Sequence, residues 1–301
     1  MTPMSSSIDR YCDLFERQGR RFIYKHGVLW TEYGHMVVPV GPAVSDYSIS
    51  RENALGLLES FNGCLMVRTT SGFQDSLAGA DSWYSVISPE FIDLSLLSSN
   101  TRNQVRRGLK NCSVDMIDAD YVANNGFNVL GQAYKRYKNL RFNLAEQDYK
   151  RDMEAFADYS DIVHFWGIFF ESNLIAYCIN YVYGATEVNY ANINFDPDYL
   201  RLYPSYALIY SMNRHYLDEL GFDCVNDGHR SLLHETNIQD YLIQKFHFQK
   251  APMGLSVVYR PSVSAFLSVS YPFRSIGKVL HPKLKALFVL EELRRKSQAN
   301  A

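Results

Sequence analysis

The residues best suited to chemistry form one short polar cluster, Asn226-Asp227-Gly228-His229-Arg230. General base catalysis requires a side chain that removes a proton, and Asp227 or His229 could supply it. Arg230 could hold a phosphate or carboxylate through its planar guanidinium. A plain Asp-Gly turn with a salt-bridged arginine explains the same residues, because Asp-Gly is a common turn sequence. Both interpretations stay open at this point.

The chain offers no convincing metal site near this cluster. His229, His234 and Glu235 could be taken for a metal triad, but the two histidines are five residues apart and lie across a predicted loop. The zincin pattern instead places two histidines four residues apart on one helix. We therefore expect no metal, and we interpret His234 and Glu235 as capping residues of the helix that follows.

A polar strand is predicted at residues 187–194, where alternation places Tyr190, Asn192 and Asn194 on one face and Asn189 with Ala191 on the other. Asparagine is unfavourable in a strand unless its amide has partners. The pattern fits a substrate-contacting face, and it equally fits a solvated face with one aromatic residue.

The elements that position these residues follow a regular order. Strands are predicted at 21–42, 64–70 and 83–88, and helices at 50–60 and 98–110 with serine caps. The second half then reads as a strand, two helices, a meander of three antiparallel strands, a helix at 204–220, a strand, a helix and a last strand. We predict domains at 1–110, 111–261 and 262–301, the last being a helical extension.

Two groups of basic residues could form a phosphate-binding rim. The predicted helix at 98–110 has four of them and no acid, and a second group follows the next helix: Arg102, Arg106, Arg107 and Lys110, then Lys135, Arg136, Lys138 and Arg141. A contact for tRNA, a nucleotide or an anionic lipid carrier would use such a surface. A solvated helix face produces the same pattern.

Composition excludes several classes of protein. The 301 residues are 47% hydrophobic and 21% charged, with a net charge of −2, so the chain is globular and has no global attraction to DNA. Five scattered cysteines fit neither a disulfide framework nor a zinc ribbon, which indicates a reducing, cytoplasmic setting. No signal peptide or membrane span is expected, and no motif of an NTPase, Rossmann oxidoreductase or serine hydrolase is present.

The element order of the second half resembles that of the GNAT acyltransferases. The strings TRNQVRRGLKN, YLDELGFDCVNDG and FHFQKA further resemble the FemAB/BioF2-like branch of that superfamily, with the similarity covering roughly residues 20–260. The resemblance implies an α+β fold of tandem GNAT-like units, with mixed, mostly antiparallel sheets flanked by helices, a degenerate first unit and an active cleft in the second. It also implies transfer of acyl groups from coenzyme A or of amino acids from aminoacyl-tRNA.

The resemblance places the donor at the string Arg201-Leu202-Tyr203-Pro204-Ser205-Tyr206-Ala207. It implies donor contacts by Arg201, Ser205, Tyr206 and Ala207, as well as by Asn192 and Asn194 of the adjacent strand. Pro204 and Tyr206 stand where the GNAT pattern has glycines. Proline lacks an N–H, and bulky side chains narrow the approach of a pyrophosphate to the helix N-terminus.

Three functions are therefore expected, in this order. The first is an acyltransferase that moves an acyl group from acyl-CoA to an amine or hydroxyl, with Asp227, His229 and Tyr190 as catalytic residues. Arg230, Arg102 and Arg106 would contact the acceptor or a phosphate, the acceptor being a small molecule or a cell-envelope precursor. The second is a FemAB-like aminoacyltransferase that uses charged tRNA. The third is a binding module of an envelope or polysaccharide pathway, without catalysis.

The C-terminal segment 278–296 predicts an amphipathic helix with basic ends. Peripheral attachment to a membrane surface is one interpretation of this pattern. Glu291 and Glu292 weaken attraction to anionic lipid, so we favour docking of the helix on its own domain.

Overall fold

The computed structural model describes residues 4–74, 82–135, 142–231, 237–275, 277 and 282–299. Backbone packing divides the chain into two compact units of three segments each. The first unit consists of Met1–Gln18, Ile87–Gly228 and Tyr241–Gln249, and the second of Gly19–Val86, His229–Asp240 and Lys250–Ala301. The domain boundaries predicted from the sequence near residues 110 and 261 stay predictions.

The first unit contains most of the helices. Its elements are α1 (Met4–Arg17), α3 (Ser99–Asn111), β6 (Ser113–Ile117), α4 (Ala119–Tyr134), α5 (Glu146–Glu154), β7 (Val163–Phe170), β8 (Asn173–Tyr183), β9 (Glu187–Phe195) and α6 (Pro204–Asn213). The second unit contains β1 (Phe22–Lys25), β2 (Val28–Tyr33), β3 (Met36–Val40), α2 (Arg51–Ser60), β4 (Met66–Phe73), α8 (Pro261–Ser270) and α9 (Pro282–Ala299). Four elements have residues in both units: β5 (Trp83–Ser88), β10 (Cys224–His229), α7 (Asn237–Phe246) and β11 (Gln249–Tyr259).

Side-chain caps fix the starts of three helices. Ser50 accepts the backbone N–H of Asn53 at 3.1 Å, and Ser98 accepts that of Thr101 at 3.2 Å. At the start of α4, the Asp118 side chain accepts the backbone N–H of Tyr121 in the same way. Each cap satisfies a backbone donor that lacks a partner inside the helix, which is why the serine signals located α2 and α3 in the sequence correctly.

The sheet of the first unit confirms the predicted meander. Strands β6, β7, β8 and β9 are antiparallel neighbours in that order, and β10 lies beside β9 in the parallel direction. A register shift lies between β8 and β9, where Asn180 faces Tyr190 and Ile179 faces Asn192. Ala191 is therefore the extra residue of a β-bulge.

The sheet of the second unit has helices on both faces. Its strands are ordered β1-β2-β3-β4-β11 followed by β5, with β3 parallel to β4 and β4 antiparallel to β11. On one face Leu57 of α2 packs in a cluster with Trp30 of β2 and Val67 of β4. On the other face α8 and α9 cover Met66 and Trp83.

The C-terminal helix docks on its own unit, as the sequence favoured. Phe288, Leu290 and Leu293 of α9 are at most 5% exposed and belong to the cluster that covers β4 and β11. None of the helices among the described residues has the length and apolar character needed to cross a membrane. The protein is thus an α+β fold of mixed sheets and flanking helices with a C-terminal helix, as predicted.

Two helices differ from the sequence expectation. The helix expected at 204–220 is α6, which ends at Asn213 and continues as a π-helical turn, Arg214–Glu219. The N-terminal helix α1 was not predicted, although it buries Tyr11, Leu14 and Phe15 in the first unit.

Candidate active site

The first feature of the site is the parting of two parallel strands. β9 and β10 pair at three positions, through Glu187, Val188 and Asn189 of β9 opposite Cys224, Val225 and Asn226 of β10. β9 then continues to Phe195, and beyond Asn226 the two strands no longer pair. Asp227 is the first residue of β10 after this point.

A buried polar contact fixes the point of divergence. Asn226 and Glu187 are each 1% exposed, and the Asn226 amide donates to the Glu187 carboxylate. The Asn226 carbonyl oxygen accepts the backbone N–H of Gly228 at 2.8 Å, and Gly228 has a φ of 78°, which favours glycine. The backbone on both sides of Asp227 is thereby held in place.

Tyr190 lies next to this point and is a protonated donor. Its ring is 3% exposed, and its hydroxyl donates to the Asn213 side-chain oxygen at 2.9 Å. Burial raises the pKa of Tyr190, and the negative charge of the half-buried Asp227 adds to the increase. Tyr190 therefore stays protonated at neutral pH, with its one hydroxyl proton donated to Asn213, and it cannot act as a base.

A hydrogen-bond network around Tyr216 supports Tyr190, whose ring centroid is 6.2 Å from that of Tyr216. The Tyr216 hydroxyl accepts from Trp166 at 2.8 Å and from Asn180 at 3.3 Å, and lies 3.0 Å from His164 Nδ1. Burial lowers the pKa of His164, so its imidazole is neutral and can accept the Tyr216 proton. A network in which each member has a partner holds the neighbouring side chains in one arrangement.

The bulge at Ala191 changes which side chains share a face. Residues opposite each other on neighbouring strands project to the same side, while consecutive residues alternate. Tyr190 is opposite Asn180 and Asn192 is opposite Ile179, so Tyr190 and Asn192 project to opposite faces. The expectation that Tyr190, Asn192 and Asn194 share a face is therefore wrong, because a bulge has no reliable local sequence signal. Asn192 is exposed and Asn194 is half-buried.

The N-terminus of α6 offers few donors to an anion. Tyr203 precedes it in the left-handed region with a φ of 63°, and the N–H groups of Tyr206 and Ala207 both donate to the Tyr203 carbonyl, at 3.2 and 3.3 Å. Pro204 has no N–H. Of the four residues Pro204 to Ala207, this leaves Ser205 with an N–H group that takes no part in these two bonds. Ala207 is fully buried, while Arg201 is exposed.

Aromatic side chains surround this helix start. The Tyr206 ring lies 5.2 Å from that of Tyr241 and 6.0 Å from each of Tyr203 and Phe246. The Tyr241 hydroxyl donates to the Ser205 hydroxyl at 3.2 Å. The side chain of Ser205 is thus held by α7, and its surroundings are aromatic rather than glycine-rich.

The basic helix α3 packs directly against the same turn. A Cβ at Gly108 would lie 2.6 Å from the Tyr203 carbonyl oxygen, so only glycine permits this approach. The Arg107 guanidinium stacks over the Tyr203 ring at 4.6 Å. Arg102 is half-buried and reaches the Ser95 carbonyl at 3.4 Å, whereas Arg106 is exposed.

His229 and Arg230 make their contacts in the second unit. His229 Nδ1 lies 2.8 Å from the Ser85 hydroxyl, and burial together with the charge of Arg68 lowers the pKa of His229 to about 3. Arg230 donates to the Ser82 carbonyl at 3.1 Å and stacks on Tyr84. Burial thus leaves His229 a very weak base.

The remaining polar candidates add no metal site. Within the described ranges, no group of three or more His, Cys, Asp or Glu side chains is arranged to hold a metal ion. The predicted capping residues His234 and Glu235 lie outside the described residues, as do Arg136, Lys138 and Arg141. Lys135 is exposed at the end of α4 and donates to Gln132 at 2.8 Å.

Sequence reasoning missed three residues of the site. Glu187 is the first residue of the predicted polar strand, and in the structure its buried carboxylate accepts a hydrogen bond from Asn226. Asn213, the acceptor of Tyr190, and Gly108 lie on helices whose packing partners are distant in sequence. A glycine inside an otherwise regular helix pattern was the available signal, because it often marks a close backbone approach.

No protein-family model matches the chain, and no curated protein matches it in sequence. Solved structures do match its fold. The C-terminal domain (DUF2156) of a putative lysylphosphatidylglycerol synthetase from Agrobacterium fabrum is 14% identical, covering 89% of this chain and 95% of its own, with a TM-score of 0.53. FemX is 9% identical, covering 86% of this chain and 92% of its own, with a TM-score of 0.53. The chain therefore has a GNAT-like fold.

Proposed function

We propose that the chain is a GNAT-type transferase that moves an acyl group from acyl-CoA to an amine or hydroxyl acceptor. The observation that supports it most is the parting of β9 and β10 after Asn226. The similarity to two GNAT-like structures over most of the chain supports the same conclusion. Ligands of open α/β sheets commonly bind where neighbouring strands separate.

Asp227 is our candidate for the general base. Tyr190 is the candidate hydrogen-bond donor, provided that its one hydroxyl proton turns from Asn213 to the substrate. Asp227 follows the last paired residue of β10, and its carboxylate is close enough to influence the pKa of Tyr190. Transfer forms a bond from the amine or hydroxyl to the acyl carbon and breaks the carbon–sulfur bond of the thioester, so that coenzyme A leaves as its thiolate. The nucleophile loses a proton that Asp227 could accept and pass to that thiolate. His229 is the weaker candidate, because its pKa of about 3 leaves it almost no proton affinity at neutral pH.

Acyl-CoA has a partial fit to the start of α6. Arg201 is exposed and the N–H of Ser205 can meet a phosphate, which supports binding at a helix N-terminus. Pro204 and the engaged N–H groups of Tyr206 and Ala207 leave fewer donors than a glycine-rich turn would. We expect binding to depend on Arg201 more than on backbone donors.

An aminoacyl-tRNA donor is the second candidate, and the same turn favours it. The rings of Tyr203, Tyr206 and Tyr241 give this surface an aromatic character, and aromatic rings stack on exposed bases. Arg106 and Lys110 are exposed on the neighbouring α3, where they could contact phosphates. By its name, one relative belongs to a putative lysylphosphatidylglycerol synthetase, which is consistent with aminoacyl transfer.

A donor screen tests the proposal. Calorimetric titration with acetyl-, octanoyl- and palmitoyl-CoA should show binding that Arg201→Ala weakens about tenfold, while Arg51→Ala, an exposed arginine of α2, should leave it unchanged. The reaction is followed by mass spectrometry with a panel of amine and hydroxyl acceptors. If no CoA derivative binds and the protein transfers amino acids from charged tRNA, the second donor is correct. If neither donor reacts, the transferase proposal fails.

A further inference from the structure

Among the described residues of the second unit, one cation, Arg68, has no acidic partner. Arg68 lies on β4 opposite Val257 of β11, on the face covered by α8 and α9. Among the described residues its guanidinium makes no salt bridge or hydrogen bond, and its recorded contact is stacking over the Trp83 ring at 5.3 Å. Burial lowers the pKa of Arg68 to about 10, so the side chain remains positively charged at neutral pH. Arg68 is half-buried, and a charge that is partly removed from water without an ion pair is unfavourable in a folded protein.

Trp83 supplies a second unused donor. The side chain is 3% exposed, and its indole Nε1 is buried with no hydrogen-bond partner in the described part of the chain. Buried indole N–H groups usually find an acceptor. Arg68 and Trp83 are in contact with each other, so two independent donors without acceptors occur together.

His229 extends the same cluster. Its ring lies 5.8 Å from that of Trp83, and its Nδ1 is 2.8 Å from the hydroxyl of Ser85, a residue of β5 that is fully buried. When Ser85 donates to Nδ1, the proton of the neutral imidazole is on Nε2. All three side chains then present donors, and together they have one positive charge.

The surroundings of these donors are apolar. Met66, Leu255 and Val257 belong to the same buried cluster as Trp83. Arg68 and His229 are both partly exposed, which gives the cluster access to solvent. A ligand that matches this environment accepts hydrogen bonds, has one negative charge and continues into an apolar stem.

We propose that Arg68, Trp83 and His229 form a binding site for the carboxylate of an apolar acid. The guanidinium would pair with the carboxylate oxygens, since its planar fork matches their geometry. The indole and imidazole N–H groups would donate to the same oxygens. The apolar stem would lie along Met66 and Leu255. This site belongs to the second unit and is independent of the proposed transferase activity.

Calorimetric titration of the full chain tests the site. Octanoate represents a fatty acid and N-acetylleucine represents the carboxyl end of an apolar amino acid, so the two probes distinguish the sources of the same group. At least one should bind, whereas the uncharged octanamide should not. Arg68→Met should reduce the affinity at least about tenfold, and Arg68→Lys should reduce it less because the charge is kept. Arg51→Met, on the exposed surface of the same unit, should have no effect.

Thermal unfolding without ligand gives an independent readout. Arg68→Met should have a Tm at or above that of the wild type, because it replaces a half-buried charge that has no ion pair by an apolar side chain. A lowered Tm would show that Arg68 serves the fold and would overturn the proposal. If Arg68→Met does not fold, Trp83→Phe, which removes the indole N–H but keeps a ring, should weaken octanoate binding. Failure of the wild type to bind either acid, tighter binding of inorganic phosphate, or equal binding by Arg68→Met would also overturn it.

Discussion

His229 shows how a single environment determines what a residue can do. Its imidazole faces Trp83 and Ser85 and lies near the positive charge of Arg68. Both burial and the nearby cation oppose protonation. A histidine that would titrate near neutral pH in water is thereby kept neutral far into the acid range.

The pH dependence of stability follows from this shift. The pKa of His229 is about 3 in the folded protein and about 6.5 in the unfolded chain. Between these values the unfolded state binds one more proton, so the free energy of unfolding rises with pH, by at most about 1.4 kcal/mol per pH unit. This contribution is complete above about pH 6.5 and is lost as the pH falls towards 3.

The measurement is urea unfolding of the wild type and of His229→Asn between pH 5 and 7. The variant should lose the slope, because asparagine does not titrate and keeps a polar group near Ser85. His35→Asn, at an exposed turn, should retain it. Equal slopes in wild type and His229→Asn would contradict the assignment.

Asp227 is the residue on which the transferase proposal depends most. Asp227→Asn keeps the size of the side chain and removes the base, so kcat should fall about 100-fold to 10,000-fold while the fold is unchanged. The transferase assay and circular dichroism measure the two effects. Asp223→Asn, which alters an exposed carboxylate just before β10, should retain full activity. If Asp227→Asn is fully active, Asp227 is not the base; if cellular function also survives its combination with His229→Ala, the binding-module function is favoured.

At the scale of elements, the contact between α3 and the start of α6 requires a glycine at position 108. Gly108→Ala would bring a Cβ to 2.6 Å from the Tyr203 carbonyl, which requires the helices to move apart. We expect a loss of about 1–3 kcal/mol in the free energy of unfolding, as is typical of overpacking. Because Tyr203 precedes the proposed donor site, donor affinity should fall as well.

Gly131→Ala in α4 is the matched control for that prediction. A Cβ there would lie 3.5 Å from the Phe142 ring, an ordinary van der Waals distance. Alanine is favoured over glycine inside a helix by up to about 1 kcal/mol, so this variant should be as stable as the wild type or more stable. Urea unfolding compares the two, and equal stabilities of both variants would show that the close approach at Gly108 is not needed.

The elements also show what sequence patterns could predict. Capping serines and hydrophobic period located α2 and α3, and turn residues located the meander of β7, β8 and β9. The bulge at Ala191 escaped because it depends on the register of two strands and not on a residue type. The partners of Glu187 and Gly108 escaped for a related reason, since each is set by packing between segments far apart in the chain.

At the scale of the whole molecule, α1 packs into the first unit although it is separated in sequence from the rest of that unit, which resumes at Ile87. Tyr11 donates to the carbonyls of Ile162 and Val182 at 3.2 and 3.1 Å, and Leu14 and Phe15 are at most 2% exposed. Deletion of residues 1–18 should lower the Tm and open the first unit to proteolysis, because each buried side chain contributes about 1.5–3 kcal/mol.

Arg10→Met is the control for this deletion. It removes a partly exposed ion pair with Asp161 at 2.8 Å, which contributes about 0–1 kcal/mol, together with a hydrogen bond to the Asp158 carbonyl and stacking on the Tyr159 ring. Differential scanning calorimetry should therefore show a small shift in Tm for Arg10→Met and a large one for the deletion. A deletion variant with the Tm of the wild type would show that α1 is dispensable.

The interleaving of three segments in each unit has a consequence for synthesis on the ribosome. The first unit cannot be completed before residues 241–249 have left the exit tunnel, and the second requires the strand and helices that follow residue 250. In many chains each domain folds as a unit once its own stretch has been synthesised. Here neither unit can finish folding until segments of the other have also been translated. Helix α1 precedes the other described helices in the sequence, so it must wait until residues 241–249 have been synthesised before its unit can close around it.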